Sequence, residues 1–195
     1  MQGMNKTMRM RLFLVLMMVG SAEVYADSKS KITLTAKART KTTEEETADV
    51  REDRNGDETT TTTETETEIC TLHIDLKNKD AVAYDECTLE WYFISNNIRG
   101  RKSEENKIFG SGSKKISLPA KGAVQESVIS EPFVFSTVSR DRGDQDDQEI
   151  GDVYEGYIIF LISNGKVVAQ KSSSSRYAKP EWLDKCSKMR RRSAL

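Results

Sequence analysis

The chain has 195 residues, a length that suits one domain or one domain with tails. Charged residues make up 31% of it and hydrophobic residues only 36%, so we expect some segments to lie outside the core. The formal net charge of −1 does not support attraction to nucleic acid, and we expect no nucleic-acid partner.

The N-terminus contains the three parts of a secretory signal. Basic residues lie between Lys6 and Arg11, the uncharged apolar run Leu12–Gly20 follows, and Ala26 supplies a small residue for cleavage. This apolar run is too short for a transmembrane helix, which needs about 20 residues. No later stretch of the sequence predicts a transmembrane span. We therefore expect residues 1–26 to be a cleaved signal peptide and the mature chain to be exported, either to a periplasm or out of the cell.

Alternation of apolar and polar residues predicts strands from residue 31 onward. Lys31–Thr43 reads as a strand that is exposed on one face. In the next strand one face is apolar and is formed by Cys70, Leu72, Ile74 and Leu76. Such a period of two is typical of a strand with one buried face. The same pattern predicts a strand at Cys87–Ile94.

Further strands are predicted in the second half of the chain. Short strands are expected at Ile108–Phe109 and Lys115–Leu118, with a turn at Gly110–Ser113 between them. One or two strands are expected within Val124–Val138, broken near Pro132. The most apolar strand is Tyr154–Ile162, and Asn164-Gly165 after it predicts a tight hairpin into Lys166–Gln170.

About seven or eight strands with frequent turns predict an all-β fold, a two-sheet antiparallel β-sandwich. A single up-and-down sheet that closes on itself is the alternative. We expect three segments: the signal peptide, one sandwich domain over residues 27–178 with a mobile acidic loop at 44–58, and a basic C-terminal tail at 179–195. Within the tail, residues 181–190 could form one or two helical turns.

Trp91-Tyr92 on a middle strand, followed by the aromatic strand Tyr154–Ile162 and its hairpin, resembles an immunoglobulin-like or fibronectin type III-like sandwich over residues 31–175. The chain is also similar to small uncharacterised exported bacterial proteins that carry such a domain alone. The resemblance is one of architecture, and it implies binding or spacing rather than chemistry. The sequence departs from true immunoglobulin domains because its sixth strand has no cysteine.

The three cysteines, Cys70, Cys87 and Cys186, stand in a chain whose expected export permits disulfides. Cys70 and Cys87 each begin a strand, and antiparallel strands would place those starts about 20 Å apart, beyond the reach of a disulfide. Cys186 lies on a tail that could reach either of them. We favour Cys70–Cys186, because the last strand should end near the start of the Cys70 strand. Small unbridged core thiols are the alternative.

The candidate chemistry is limited to carboxylates. Asp53, Asn55, Asp57 and Glu64 match positions 1, 3, 5 and 12 of a calcium loop. Glu58 replaces the glycine that position 6 needs, so a solvated loop is the preferred interpretation. The only histidine, His73, falls on the outward face of its strand, where it cannot pair with Cys70, and we expect no catalytic residues.

These features favour a non-enzymatic binding module of the cell envelope that recognises a protein or another envelope component, without a cofactor. A calcium-dependent adhesion or binding domain and a carboxylate-dependent hydrolase are the alternatives. The basic residues Arg190, Arg191 and Arg192 could contact an anionic surface, although a frayed solubilising tail is the preferred interpretation.

Overall fold

The structure is a computed structural model that describes residues 11–13, 31–52, 56, 58–100, 102–103, 106–141 and 147–193. Within these ranges it contains ten strands, a 3-10 turn at Ser175–Ala178 and one α-helix. The elements are β1 (Arg11–Phe13), β2 (Ile32–Glu52), β3 (Glu58–Asn78), β4 (Tyr84–Arg99), β5 (Lys102–Ser103), β6 (Lys107–Leu118), β7 (Ala123–Ile129), β8 (Phe133–Arg140), β9 (Gln148–Ser163), β10 (Lys166–Ser172) and α1 (Pro180–Ser193).

All the strands belong to one antiparallel sheet with the order β1-β2-β3-β8-β9-β4-β5. Three further strands branch from this path, since β7 pairs with β3, β10 with β9, and β6 with β4. Side chains from β2, β3 and β7 meet those of β4, β6, β9 and β10 in one cluster, so the sheet curls around its core. The predicted all-β class is confirmed. The predicted division into two sheets is not confirmed, because β8 pairs with both β3 and β9 and joins the two halves.

The alternation predicted for β3 is confirmed by burial. The four residues of its predicted inward face, Cys70, Leu72, Ile74 and Leu76, are each at most 1% exposed. From the opposite half of the sheet, Leu89 of β4 and Leu161 of β9 enter the same cluster and are fully buried. Removing these apolar side chains from water is the main favourable contribution to folding.

A second apolar cluster lies on the other face of β4 and β9. Tyr92, Ile94, Ile158, Phe160 and Ile162 form its floor, and Tyr177, Trp182 and Cys186 cover it. The segment predicted as a basic tail at 179–195 is therefore a docked helix over Pro180–Ser193. Trp182 and Cys186 are four residues apart and share the buried face of the helix. No helix in the described part of the chain is long and apolar enough to cross a membrane.

The acidic loop predicted at 44–58 is mostly the outer part of a β-hairpin. Residues 44–52 of β2 pair without a register shift with residues 58–66 of β3. The threonines of β3 explain the difference, because six of the nine residues from 58 to 66 are threonine and β-branched residues favour the extended backbone. Residues 53–55 and 57 of the predicted loop lie outside the described residues.

The two predicted turns differ in outcome. Asn164 and Gly165 have φ values of 50° and 71° and connect β9 to β10, as predicted. Gly110–Ser113, in contrast, lies within β6 and pairs with β4. Gly112 stands opposite Trp91, and a Cβ atom there would lie 2.4 Å from the indole ring. This glycine therefore makes room for a neighbouring side chain and does not turn the chain.

Candidate binding surface

The calcium candidates are only partly described. Asp53, Asn55 and Asp57 lie outside the described residues, whereas Glu64 lies in β3 and pairs with Glu46 of β2. Where the structure describes the chain, no group of three histidine, cysteine, aspartate or glutamate residues could hold a metal ion.

His73 is exposed on the outward face of β3, opposite Lys37 of β2 and Ser127 of β7. Cys70 lies three residues away and is fully buried on the other face. The structure therefore keeps this histidine and this thiol on opposite faces of the strand, as the alternation of its side chains predicts.

The three cysteines carry free thiols and lie in two different clusters. Cys70 and Cys87 belong to the core inside the curled sheet, and Cys186 belongs to the cluster under α1. The predicted Cys70–Cys186 disulfide is not formed in this structure. Burial raises the pKa of Cys70 and of Cys186 to about 12, which disfavours the nucleophilic thiolate.

An acidic groove lies on the hairpin where β2 and β3 extend beyond the core. It is a hollow of about 420 Å³. Its lining consists of five glutamates with two threonines and one phenylalanine, namely Glu44, Glu45, Glu46, Glu64, Thr65, Glu66, Phe135 and Thr137. The register of the hairpin sets Glu44 opposite Glu66 and Glu46 opposite Glu64. Like charges directly opposite each other destabilise a sheet, so this arrangement favours a cationic ligand.

Glu68 connects the acidic groove to the core. It follows Glu66 on the same face of β3 and precedes the buried Cys70. Its carboxylate accepts hydrogen bonds from the Thr40 side chain and from the backbone N–H of Tyr154. Burial nevertheless raises the pKa of Glu68, and the charge of Glu66 raises it further. Glu68 thus places a carboxyl group between the acidic groove and the end of the apolar core.

Of the three basic C-terminal residues that were predicted to contact an anionic surface or to fray, Arg190 makes an ion pair within the fold. The Arg190 guanidinium contacts the Glu90 carboxylate at 2.8 Å, and Tyr92 donates to the same carboxylate at 3.0 Å. Arg190 therefore holds α1 against β4 instead of presenting its charge to a surface. The side chains of Arg191 and Arg192 lie outside the described residues.

Sequence reasoning missed the acidic groove because it assigned residues 44–58 to a loop. The signal was nevertheless present in the alternation of threonine and glutamate from Thr63 to Glu68. Extended with the period of β3, this alternation places Glu64, Glu66 and Glu68 on the face of the core residues. Only the pairing with β2 adds Glu44 and Glu46.

No protein family matches the chain, and no curated protein is similar to it. Among solved structures, it resembles a crystal structure from Akkermansia muciniphila, with 11% sequence identity over 82% of this chain and 80% of that one. The TM-score is 0.24, a likeness too low to support any argument about function. The immunoglobulin-like resemblance is not confirmed.

Proposed function

We propose that the protein is exported and acts as a non-enzymatic binding module of the cell envelope, with the acidic groove as its binding surface. The observation that carries this proposal is the pairing of Glu44 with Glu66 and of Glu46 with Glu64 on a hairpin that extends beyond the core. A fold gains no stability from opposed carboxylates, whereas a cationic ligand gains affinity from them.

Among the described residues, the thiols and the histidine support binding over nucleophilic chemistry. The buried thiols have raised pKa values, and His73 is exposed on the face opposite the core. A glycosidase uses a pair of carboxyl groups around a bound sugar, and the groove supplies carboxylates without a histidine or a thiol beside them. A carboxylate-dependent hydrolase therefore remains the second proposal, and it predicts turnover where a binding module predicts retention.

The proposed architecture is a sandwich-like one in which β2, β3 and β7 face β4, β6, β9 and β10. The shared core cluster supports this description. The immunoglobulin-like part of the proposal rests on Trp91-Tyr92 and on the aromatic strand Tyr154–Ile162 with its hairpin. Binding modules of this kind use a sheet edge, a sheet face or loops, and here the outer hairpin offers an edge and a face together.

The test is a pull-down from envelope extract with residues 27–195 as bait. Every member of both apolar clusters lies between Ile32 and Cys186, so this segment contains the whole core. We expect a protein or envelope component to be retained at low salt and released as salt screens the carboxylates. Recovery of no partner, combined with turnover of a glycan or peptide substrate, would overturn the proposal in favour of a hydrolase. A rise in melting temperature with millimolar calcium would instead support the calcium-dependent alternative.

A further inference from the structure

The outer edge of β2 is divided into two parts. The N–H of Lys79 donates to the carbonyl of Lys31 at 3.1 Å, so the odd-numbered residues of β2 direct their backbone groups toward β3. In an antiparallel pair the even-numbered residues then direct theirs away from it. The register of the hairpin does not shift over its length, so this rule holds from Ile32 to Glu52.

The first part of this edge is covered. The Tyr157 hydroxyl donates to the carbonyl of Ala36 at 3.0 Å, and β10 packs alongside β2. The second part is occupied at its beginning, where β1 pairs with Thr42–Glu44. Within the ranges that the structure describes, no strand pairs with residues 45–52 along this edge.

The part of the edge that no described strand covers is strongly acidic. Residues 44–52 contain five acidic side chains and one basic one. Glu44, Glu45 and Glu46 of this edge also line the acidic groove, where Glu64 and Glu66 add two more carboxylates. An edge strand with free backbone groups is a template for another strand, and the flanking charges decide which strand can join it.

We propose that the acidic edge of β2, residues 42–52, binds an extended basic segment of a partner protein by strand addition. This inference rests on the proposed binding function and names its ligand class. β1 illustrates the geometry, because a segment with Arg11 in register with Glu44 already pairs antiparallel with this edge. In such a complex, backbone hydrogen bonds provide the pairing, and lysine or arginine side chains on one face lie over the glutamates of the groove.

A second copy of this chain does not fit the same edge. Pairing of two 44–52 segments would set carboxylates against carboxylates. A shifted register would bring in the basic residues Lys37, Arg39 and Lys41, but it would also need the edge at Ala36, whose carbonyl already accepts from Tyr157. The charge pattern and the covered first part therefore favour a different, basic partner.

The test measures the anisotropy of dye-labelled peptides added to residues 27–195. The probe is an eight-residue peptide of alternating lysine and threonine, and its matched control carries a methyl group on the backbone nitrogen of every lysine. Both carry the same charge, but the methylated peptide lacks the N–H groups that face β2, because lysines lying over the glutamates of the groove direct their own backbone groups toward that edge. We expect saturable binding of the first peptide and binding weaker by about tenfold or more for the second.

Two variants of the protein complete the test. Glu44→Gln/Glu66→Gln removes one opposed pair of charges, and Ala48→Pro removes an N–H that points outward from the hairpin while leaving the pairing with β3 intact. Each variant should lower the affinity for the lysine–threonine peptide by about tenfold. Glu131→Gln, in the connection between β7 and β8, is the control and should leave the affinity unchanged.

Equal binding of the two peptides would overturn strand addition by a basic partner. Self-association of the chain that the Ala48→Pro variant abolishes would overturn it as well.

The pull-down separates this failure from failure of the proposed function. If the Ala48→Pro variant retains the same envelope component as the unsubstituted chain, binding through the acidic groove stands and the backbone edge of β2 is not its site.

Discussion

The Arg190 guanidinium lies 2.8 Å from the Glu90 carboxylate and joins the C-terminal helix to the middle of the sheet. The Glu90 side chain is only 9% exposed and that of Arg190 is 36% exposed. Tyr92 donates to the same carboxylate at 3.0 Å, and the Arg190 guanidinium also lies 5.8 Å from the centre of the Phe160 ring. The buried carboxylate thus depends on the helix for its counter-charge.

Replacing Arg190 should therefore destabilise the fold. Arg190→Ala leaves Glu90 buried without its cation, and we expect the free energy of unfolding to fall by about 1–3 kcal/mol. The matched control is Lys188→Ala, which removes an exposed ion pair with Asp184 on the same helix and should cost about 0.5 kcal/mol or less. Urea unfolding of both variants measures the difference. Equal losses would show that Glu90 does not rely on Arg190.

The raised pKa of Glu68 predicts an unusual dependence of stability on pH. Between its ordinary value of 4.5 and the higher folded value, the folded state binds more protons than the unfolded state. Stability contributed by this group is therefore present at low pH and is lost as pH rises through the folded pKa. Glu68→Gln should remove this slope and should unfold at higher urea concentration than the unsubstituted chain at pH 7. Glu131→Gln serves as the control, and an unchanged slope in Glu68→Gln would contradict the assignment.

The cysteines predict a clear result in thiol titration. Because Cys70, Cys87 and Cys186 are free and buried, we expect Ellman's reagent to detect no thiol in the folded protein and three in urea. The raised pKa values of all three thiols slow the reaction further. A single thiol in urea without reductant would instead show one disulfide, and mapping of its peptides would test the Cys70–Cys186 pairing that the sequence favoured.

Gly112 should not tolerate a side chain. An added Cβ atom would lie 2.4 Å from the Trp91 ring, so either the indole or the pairing of β4 with β6 must move. We expect Gly112→Ala to lower the free energy of unfolding by about 1–3 kcal/mol and to shift the tryptophan emission. Gly110→Ala is the matched control in the same strand, because nothing lies within 4 Å of its added Cβ. Similar losses in both variants would show that general strand effects, rather than contact with Trp91, explain the cost.

The candidate surface was only partly predictable. The carboxylates of β3 follow from the period of two that also predicts the inward position of Cys70. Their partners on β2 do not, because the long acidic stretch around Asn55-Gly56 is typical of a solvated loop. The sequence predicted only one or two turns of the C-terminal helix, for a related reason. Four of its residues between Lys188 and Arg192 are basic, and the apolar floor that fixes the helix comes from β4 and β9.

The sequence by itself determined that Cys70, Leu72, Ile74 and Leu76 share the buried face of β3, because successive side chains point to opposite faces whatever the strand pairs with. It also determined the hairpin at Asn164-Gly165, since few residues adopt the positive φ that both positions require. Only the tertiary structure decided that β8 joins the halves into one curled sheet, that α1 covers a second cluster, and that Glu44 stands opposite Glu66. These features depend on contacts between residues far apart in the chain, and local periodicity carries no information about which distant strand becomes a neighbour.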